Sequence, residues 1–116
     1  MAPAAPVRSS TDSRRRAARI APDLGRSAAE AARLLRVLSN QNRLLLVCLL
    51  IGGEKTVGEL NRALPLSQSA LSQHLAVLRE EGLVRARRAG QNVHYGLASA
   101  PARRIVETLH ALFCRR

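Results

Sequence analysis

Two short helical segments separated by a proline constrain the fold of this chain more than any other feature. Apolar residues recur at helical spacing from Val57 to Ala63, and Pro65 then ends the segment. A second helix is predicted to begin at Ser67, which can cap it, and to stop at Gly82; its inner face carries leucines every three or four residues. Because the turn between them is so short, the pair has helix-turn-helix spacing.

Further elements are predicted on both sides of this pair. The capping-box sequence SAAE, beginning at Ser27, opens one helix, and residues 41–51 form another. The latter is apolar nearly all round, so we expect it to be the central buried helix. After the second helix of the pair the hydrophobic period changes to two, with Gly90 near the middle, which predicts a β-hairpin. Ser99 then caps a last helix. The predicted fold class is mainly α with a β-hairpin wing, in one domain over residues 23–116.

The charge of the chain predicts a polyanionic partner. Its 116 residues include 19 basic and 8 acidic ones, a net charge of +11, which suits nucleic acid or an anionic membrane surface. Residues 1–22 hold three of the five prolines and a net charge of +4, and we predict a disordered basic arm there. An arm on the DNA backbone and a solvated tail without a role both remain open. No apolar run reaches membrane-spanning length, and the N-terminus lacks a secretory apolar segment, so a cytoplasmic location without a membrane partner is expected.

The outer face of the second helix of the pair is composed for reading DNA. An ordinary solvated helix face usually carries Glu and Lys, whereas charge is absent from this one until Arg79. Short polar groups occupy it instead, and glutamine can pair with adenine through two hydrogen bonds. The predicted readers are Ser67, Gln68, Ser69, Ser72 and Gln73. The hairpin adds Arg85, Arg87 and Arg88, which suit phosphates or the minor groove. Double-stranded DNA is therefore the predicted partner.

Three segments resemble one family of regulators. The runs LSNQNRLLLV, VGELNRALPLSQSALSQHLAVLREEGLV and RRAGQNVHYGL are similar to ArsR/SmtB winged-helix repressors, over roughly residues 27–116. The resemblance implies a winged helix-turn-helix, a homodimer joined through its first and last helices, a palindromic operator and repression relieved by an inducer. Two positions depart from the family pattern: Gln41 stands where proline is common, and Gly96 stands where the wing often has arginine. No nucleophile–base–carboxylate set or phosphate loop is visible, so neither an enzyme nor a cofactor is predicted.

The metal sites most familiar in this family are missing from the sequence. Arsenic- and lead-type sensors carry Cys-x-Cys in the third helix, where TVGELNRAL has no cysteine. The last-helix zinc type needs Asp and His pairs, but the matching positions hold Ser99, Pro101, Leu112 and Arg115. No metal ligand is therefore predicted. A nonstandard zinc or copper site remains an alternative, built from residues on one face of the last helix: Glu107, His110 and Cys114.

The two cysteines, Cys48 and Cys114, have a spacing that resembles the BigR/SqrR subgroup of the family. The resemblance implies that reactive sulfur species link the two thiols, through a disulfide or a longer polysulfide, and that operator affinity then falls. We expect Cys114 to react first and Cys48, a protonated thiol among leucines, to resolve it. The residues alone leave another reading open, in which both cysteines are inert small hydrophobes and the protein is a constitutive architectural DNA-binding protein.

Overall fold

The computed structural model describes residues 10–114 of the chain. Its backbone separates into two compact units, divided after Arg33. Helices and strands follow one another in the order α1 (Ser10–Gly25), α2 (Ala28–Leu38), α3 (Gln41–Ile51), β1 (Lys55–Thr56), α4 (Val57–Ala63), α5 (Gln68–Glu80), β2 (Val84–Ala89), β3 (Asn92–Leu97) and α6 (Ala100–Phe113). Within this part of the chain no single helix is long and apolar enough to cross a membrane. Taken together, α2 and α3 would be long and apolar enough, but the pair is sharply bent.

The first unit differs from the sequence prediction. A disordered arm was predicted over residues 1–22, whereas Ser10–Gly25 forms helix α1, so the predicted end of the arm and the domain start at residue 23 fall inside a helix. Residues 1–9 lie outside the described residues. Alanine and arginine are strong helix formers, and Asp12 lies in the first turn, where the helix dipole favours a carboxylate. The prediction of a disordered arm rested on charge and proline content. These two quantities take no account of the helix propensity of the individual residues.

Helix α3 has the predicted bounds, but it is not buried all round. The side chain of Asn40 caps it by accepting hydrogen bonds from the backbone N–H groups of Asn42 and Arg43, both at 3.1 Å. One face of α3 lies in the core, whereas Leu45 and Cys48 are exposed on another. The expectation of a fully buried central helix is therefore wrong, and α3 presents an apolar face to its surroundings.

Hydrogen bonds hold both the start of α4 and the turn that follows it. Thr56 and Glu59 form a reciprocal capping box at the start of α4, a pattern that is visible in the sequence TVGE. After α4 the backbone N–H of Leu66 donates to the Leu64 carbonyl at 2.8 Å. The Nδ2 of Asn61 donates to the Leu66 carbonyl, also at 2.8 Å, which ties α4 to the turn. A side chain of α4 thereby holds the turn that leads into α5.

Helix α5 begins and ends at the predicted residues. The Ser67 hydroxyl accepts from the backbone N–H of Ala70 at 3.1 Å. At the other end Gly82 has a φ of 79°, and the backbone N–H of Leu83 donates to the Leu78 carbonyl at 2.8 Å. This left-handed glycine with a hydrogen bond spanning six residues is a Schellman cap, which turns the chain from the helix into the wing.

The predicted hairpin is present, and a third strand extends it. Strands β2 and β3 pair antiparallel from Val84 opposite Leu97 to Ala89 opposite Asn92. Gly90, with a φ of 63°, takes the first central position of the two-residue turn, where glycine is favoured in hairpins. The two-residue strand β1 pairs with β3, which gives the sheet order β1-β3-β2. A strand of two residues is too short to show an alternating hydrophobic pattern, so β1 was not predicted from the sequence.

The core is aliphatic and joins every helix of the second unit. Ala102 and Val106 of α6 are buried against it, and the α6 cap at Ser99 is as predicted, with its hydroxyl accepting from the backbone N–H of Ala102. Core residues are Val37, Leu38, Leu46, Val47, Leu50, Leu60, Leu64, Leu71, Leu75, Leu78, Leu83, Val84, Ala102 and Val106. Helix α3 packs against both α5 and α6. It is therefore the element through which a change at α6 can reach the helix-turn-helix.

Candidate nucleic-acid interface and cysteine pair

The five predicted reading residues lie together at the start and on the outer face of α5. Leucines on the inner face of this helix are buried, and the side chains predicted to read DNA are exposed: Ser67, Gln68, Ser69, Ser72 and Gln73. Ser67 uses its oxygen to cap the helix, and its hydroxyl hydrogen can still be donated. Exposed donors and acceptors on the N-terminal half of the second helix are what major-groove reading requires.

A cleft of about 480 Å³ lies between α5 and the wing. Ser72, Ala76 and Arg79 line it from α5, and Tyr95 lines it from β3. The cleft shows which face of the sheet is turned towards the reading helix, namely the face that carries Tyr95. Sequence analysis did not assign Ala76 or Tyr95 to this surface, because only the packing of helix against sheet brings them together.

The three wing arginines are exposed, but they are not equivalent. Arg85 donates from Nη1 to the Leu97 carbonyl at 2.7 Å. Arg87 forms an ion pair with Glu54, whose Oε1 lies 2.7 Å from its Nη2. Among residues 10–114, the side chain of Arg88 makes no hydrogen bond or ion pair. Of the three predicted phosphate contacts, only Arg88 therefore has a guanidinium without a partner in the described part of the chain.

The ion pair between Glu54 and Arg87 perturbs both groups. The hydrogen bond from Arg87 is the main cause that lowers the pKa of the Glu54 carboxyl. Burial opposes this effect, and the charges of Arg87, Arg85 and His94 lower the pKa further. In turn, Glu54 raises the pKa of Arg87. The carboxyl is thus ionised throughout the neutral range, and sequence analysis missed it because nothing local singles it out.

The two cysteines lie on helices that pack against each other. Cys48 is on α3, and Cys114 ends α6, where its backbone N–H donates to the His110 carbonyl at 2.8 Å. Both residues are exposed and their thiols are free. Partial burial of the thiol is the main cause that raises the pKa of Cys48, and the charge of Cys114 raises it further. Arg115 and Arg116 lie outside the described residues.

Large apolar side chains are exposed on the helices that carry the cysteines and on α2. The exposed fractions are 55% for Leu35 on α2, 39% for Leu45 on α3, and 59% and 79% for Leu112 and Phe113 on α6. Large exposed apolar side chains on several helices of one unit are typical of a surface that another chain covers. We call these four residues the apolar surface.

Comparisons with known proteins place this architecture in a family. The model of the family "Bacterial regulatory protein, arsR family" matches residues 40–86. Transcriptional activator HlyU of Vibrio cholerae is 45% identical over 93 residues, which cover 80% of this chain and 86% of that protein. The biofilm growth-associated repressor of Xylella fastidiosa is 45% identical over 92 residues, which cover 79% and 81%. The chain belongs to the ArsR family.

Solved structures of ArsR-family proteins share the fold. The transcriptional repressor BigR from Xylella fastidiosa superposes with a TM-score of 0.78 at 43% identity, covering 82% of this chain and 97% of that one. Reduced HlyU from Vibrio cholerae superposes with a TM-score of 0.75 at 45% identity, covering 80% and 98%. The winged helix-turn-helix fold and the resemblance to this family are therefore confirmed. As an ArsR-family member the protein is a DNA-binding transcriptional regulator and not an enzyme.

The side chains of the alternative metal site do not come together in this ArsR-family protein. The candidate zinc or copper ligands Glu107, His110 and Cys114 recur on one face of α6. Within residues 10–114 no three His, Cys, Asp or Glu side chains are grouped closely enough to hold one ion. The three residues do not converge because Glu107 and Cys114 are almost two helical turns apart.

The raised pKa of Cys48 predicts an order of thiol labelling. At neutral pH we expect iodoacetamide to alkylate Cys114 before Cys48, since alkylation needs the thiolate and partial burial raises the pKa of the Cys48 thiol. The labelling rate of Cys48 should have its pH midpoint above the ordinary thiol value of about 8.5. In Cys114→Ser the pH midpoint of Cys48 labelling should fall, because the charge of Cys114 no longer raises the pKa of Cys48. The midpoint should stay above the ordinary thiol value, because partial burial of Cys48 remains. Peptide mass spectrometry across a pH series measures both rates, and faster labelling of Cys48 at neutral pH contradicts the prediction.

Proposed function

We propose that this protein is a homodimeric transcriptional repressor that releases its operator when reactive sulfur species link Cys48 to Cys114. The observation that carries the proposal is the position of two free, exposed cysteines on helices that pack against each other, one of which also packs against the reading helix. The printed names of the relatives include both a repressor and an activator. We favour repression, acting in the cytoplasm, because a switch that weakens DNA binding relieves repression directly.

The DNA-reading part of the proposal rests on the composition and exposure of α5. Gln68 and Gln73 are exposed on the half of the helix that enters the major groove. Two such helices, one from each subunit, match successive major grooves of a palindromic operator when their centres are about 34 Å apart. Release then needs only a change in this separation and no change within α5.

The dimer part of the proposal rests on the apolar surface. Its residues lie on α2, α3 and α6, which include the first and last helices of the predicted domain. Contact between two copies of this surface would remove exposed leucine and phenylalanine side chains from water, at about 25 cal/mol for each Å² buried. Because Cys48 and Cys114 lie on helices of the same surface, a covalent link between them acts where the subunits meet.

The proposed chemistry has two steps. The Cys114 thiolate attacks the sulfane sulfur of a low-molecular-weight persulfide, RSSH, forming Cys114–S–SH and releasing RS⁻. The Cys48 sulfur then attacks the Cys114 sulfur, forming the Cys48–Cys114 disulfide and releasing H₂S, which carries away the remaining proton. Two thiols are oxidised and the sulfane sulfur is reduced to sulfide. A longer bridge keeps additional sulfane sulfur, and a further persulfide is then reduced to RSH and H₂S.

Linking the thiols is proposed to act on DNA through α3. This helix carries Cys48 and packs against both α6 and α5. A bridge constrains the end of α6 at Cys114 relative to α3, within the proposed dimer interface. Cores repack in discrete steps, so a small displacement there changes the separation of the two reading helices. The bridge therefore couples oxidation to loss of operator affinity.

Base reading is tested by replacing the two glutamines. An operator is first enriched from a pool of random-sequence duplexes with the reduced protein. We expect Gln68→Ala and Gln73→Ala each to cost about 1–3 kcal/mol on the enriched duplex and to relax base preference, because a bidentate contact is lost. Fluorescence anisotropy on enriched and scrambled duplexes measures the effect.

Gln41→Ala is the matched control, since Gln41 is an exposed glutamine at the start of α3 and not on the reading helix. It should bind the enriched duplex like the wild type. Equal losses on the enriched and scrambled duplexes for the Gln68 and Gln73 variants contradict the assignment of α5 as the reading helix. If no sequence is enriched at all, an architectural DNA-binding role replaces that of an operator-specific repressor.

A further inference from the structure

One face of the wing sheet carries a carboxylate among its arginines. The strand register places Arg85 opposite Gly96 and Arg87 opposite His94. Since residues two apart on a strand, and residues opposite each other on paired strands, point to the same side, these four share a face. Glu54 immediately precedes β1 and reaches the same face, where it pairs with Arg87.

Glu54 crosses the middle strand because Gly96 has no side chain. A Cβ atom at Gly96 would lie 3.2 Å from the Cγ of Glu54 and 3.4 Å from Nη2 of Arg85. The first distance is too short for an undisturbed carbon–carbon contact. The glycine therefore leaves room for both the Glu54 side chain and the Arg85 guanidinium. This gives a physical role to a position where the family pattern often has arginine.

The contact between Glu54 and Arg87 uses the part of the guanidinium that binds phosphate. Nη2 and Nε of Arg87 lie 2.7 and 3.1 Å from Oε1 of Glu54, and Nε lies 3.3 Å from Oε2. Two adjacent donors of one guanidinium edge thus face the carboxylate, as they would face two phosphate oxygens. A phosphate group can take this edge only by displacing Glu54.

Arg88 lies on the other face of the sheet and near its tip. It is opposite Val93 in the sheet. Ala86, two residues before Arg88 on β2, and Tyr95, two residues after Val93 on β3, share that face. Tyr95 lines the cleft beside α5, so Arg88 is on the side of the wing turned towards the reading helix. Its exposed guanidinium can reach a phosphate beside the groove that α5 would occupy.

We propose that Glu54 is a positioning residue that withholds Arg87 from DNA phosphates and leaves Arg88 as the phosphate contact of the wing. The inference rests on the proposed DNA-binding function and deepens it. By neutralising one of the exposed wing charges, Glu54 lowers the affinity of the wing for DNA of any sequence. Binding then depends more on the contacts that α5 makes with bases, so Glu54 favours specificity over affinity.

Salt titration separates these roles. Anisotropy is measured on a scrambled 30-base-pair duplex (a length of about three helical turns) for the wild type, Glu54→Gln, Arg87→Ala, the double variant and Arg88→Ala. We expect Glu54→Gln to bind more tightly and to steepen the slope of log K against log salt by about 0.9 for each wing on the DNA. The ratio of the variant's affinity to the wild-type affinity should therefore change about threefold per contact between about 50 and 200 mM salt.

The arginine variants give the decisive comparison. Arg87→Ala alone should leave the slope unchanged, whereas in the Glu54→Gln background it should return the slope to the wild-type value. Arg88→Ala should reduce the slope by about 0.9 per wing. Glu107→Gln, which removes an equal charge from the exposed side of α6, should behave like the wild type and so controls for net charge.

Each result decides a separate point. If the wild type does not bind the duplex, the proposed function fails together with this inference. If it binds, the inference is overturned by Glu54→Gln binding no more tightly than Glu107→Gln, or by Arg87→Ala alone flattening the slope as Arg88→Ala does. Thermal unfolding by circular dichroism checks that the variants fold. Should Glu54→Gln fail to fold, the comparison of Arg87→Ala with Arg88→Ala still decides which arginine contacts phosphate.

Discussion

Leu35→Asp and Leu112→Asp should each turn the protein into a monomer and lower its affinity for an enriched operator by about a hundredfold to ten-thousandfold. The two side chains are 55% and 59% exposed on α2 and α6. In the proposed dimer a carboxylate at either position would be buried against apolar groups, which is costly without a partner. A monomer reads one half-site at a time and loses the gain from binding both together. Light scattering after size-exclusion chromatography gives the mass, and anisotropy gives the affinity.

Ser39→Asp is the control for this pair because it adds the same charge at an exposed polar position after α2. It should stay dimeric and keep its operator affinity. A wild type that is already monomeric at the concentrations where it binds its operator contradicts the proposed dimer. So does a Leu35→Asp or Leu112→Asp variant that remains dimeric, because the interface would then lie outside the apolar surface.

Cys48→Ser and Cys114→Ser should each bind the operator like the wild type and lose the entire response to persulfide. Both side chains are exposed, and serine is nearly isosteric, so the fold and α5 should be unaffected. Without Cys114 the first attack on the persulfide is lost. Without Cys48 the reaction should stop at a persulfide on Cys114, which intact-mass measurement detects as one added sulfur atom. DNA release is followed by anisotropy under anaerobic conditions.

His110→Ala separates this account from a metal-based one. Its imidazole was the central ligand of the alternative zinc or copper site, and the side chain is exposed on α6. We expect the variant to respond to persulfide as the wild type does. Release from DNA by either serine variant contradicts the two-thiol switch, and a response that depends on His110 supports the metal site instead.

Sequence analysis predicted those elements whose ends are fixed by local chemistry. Ser67 and Ser99, the predicted caps, each accept a hydrogen bond from the first turn of their helices, so α5 and α6 begin where predicted. Asn40 caps α3, whose start was predicted from the apolar run alone. Gly82 and Gly90 have positive φ and fix the exit from α5 and the hairpin turn. These signals lie within a few residues of the feature that they determine, and a sequence displays them directly.

The features that the sequence did not reveal depend on distant partners. Strand β1 exists because Lys55 pairs with Tyr95, and the ion pair of Glu54 with Arg87 forms because the sheet places them on one face. The exposed side of α3 was misjudged for a related reason. An all-round apolar helix is predicted to be buried, and the pattern does not reveal that the rest of the chain leaves Leu45 exposed.

The central claim is that a covalent link between Cys48 and Cys114 causes release of the operator. Its most direct test follows the reduced wild-type protein on labelled operator during anaerobic treatment with a low-molecular-weight persulfide, with anisotropy and intact mass measured on the same samples. The account predicts that the released fraction rises in step with the loss of two hydrogens, with or without added sulfur, and that a thiol reductant restores binding. Complete linkage with the operator still bound, release while both thiols remain unlinked, or release by zinc alone would contradict it.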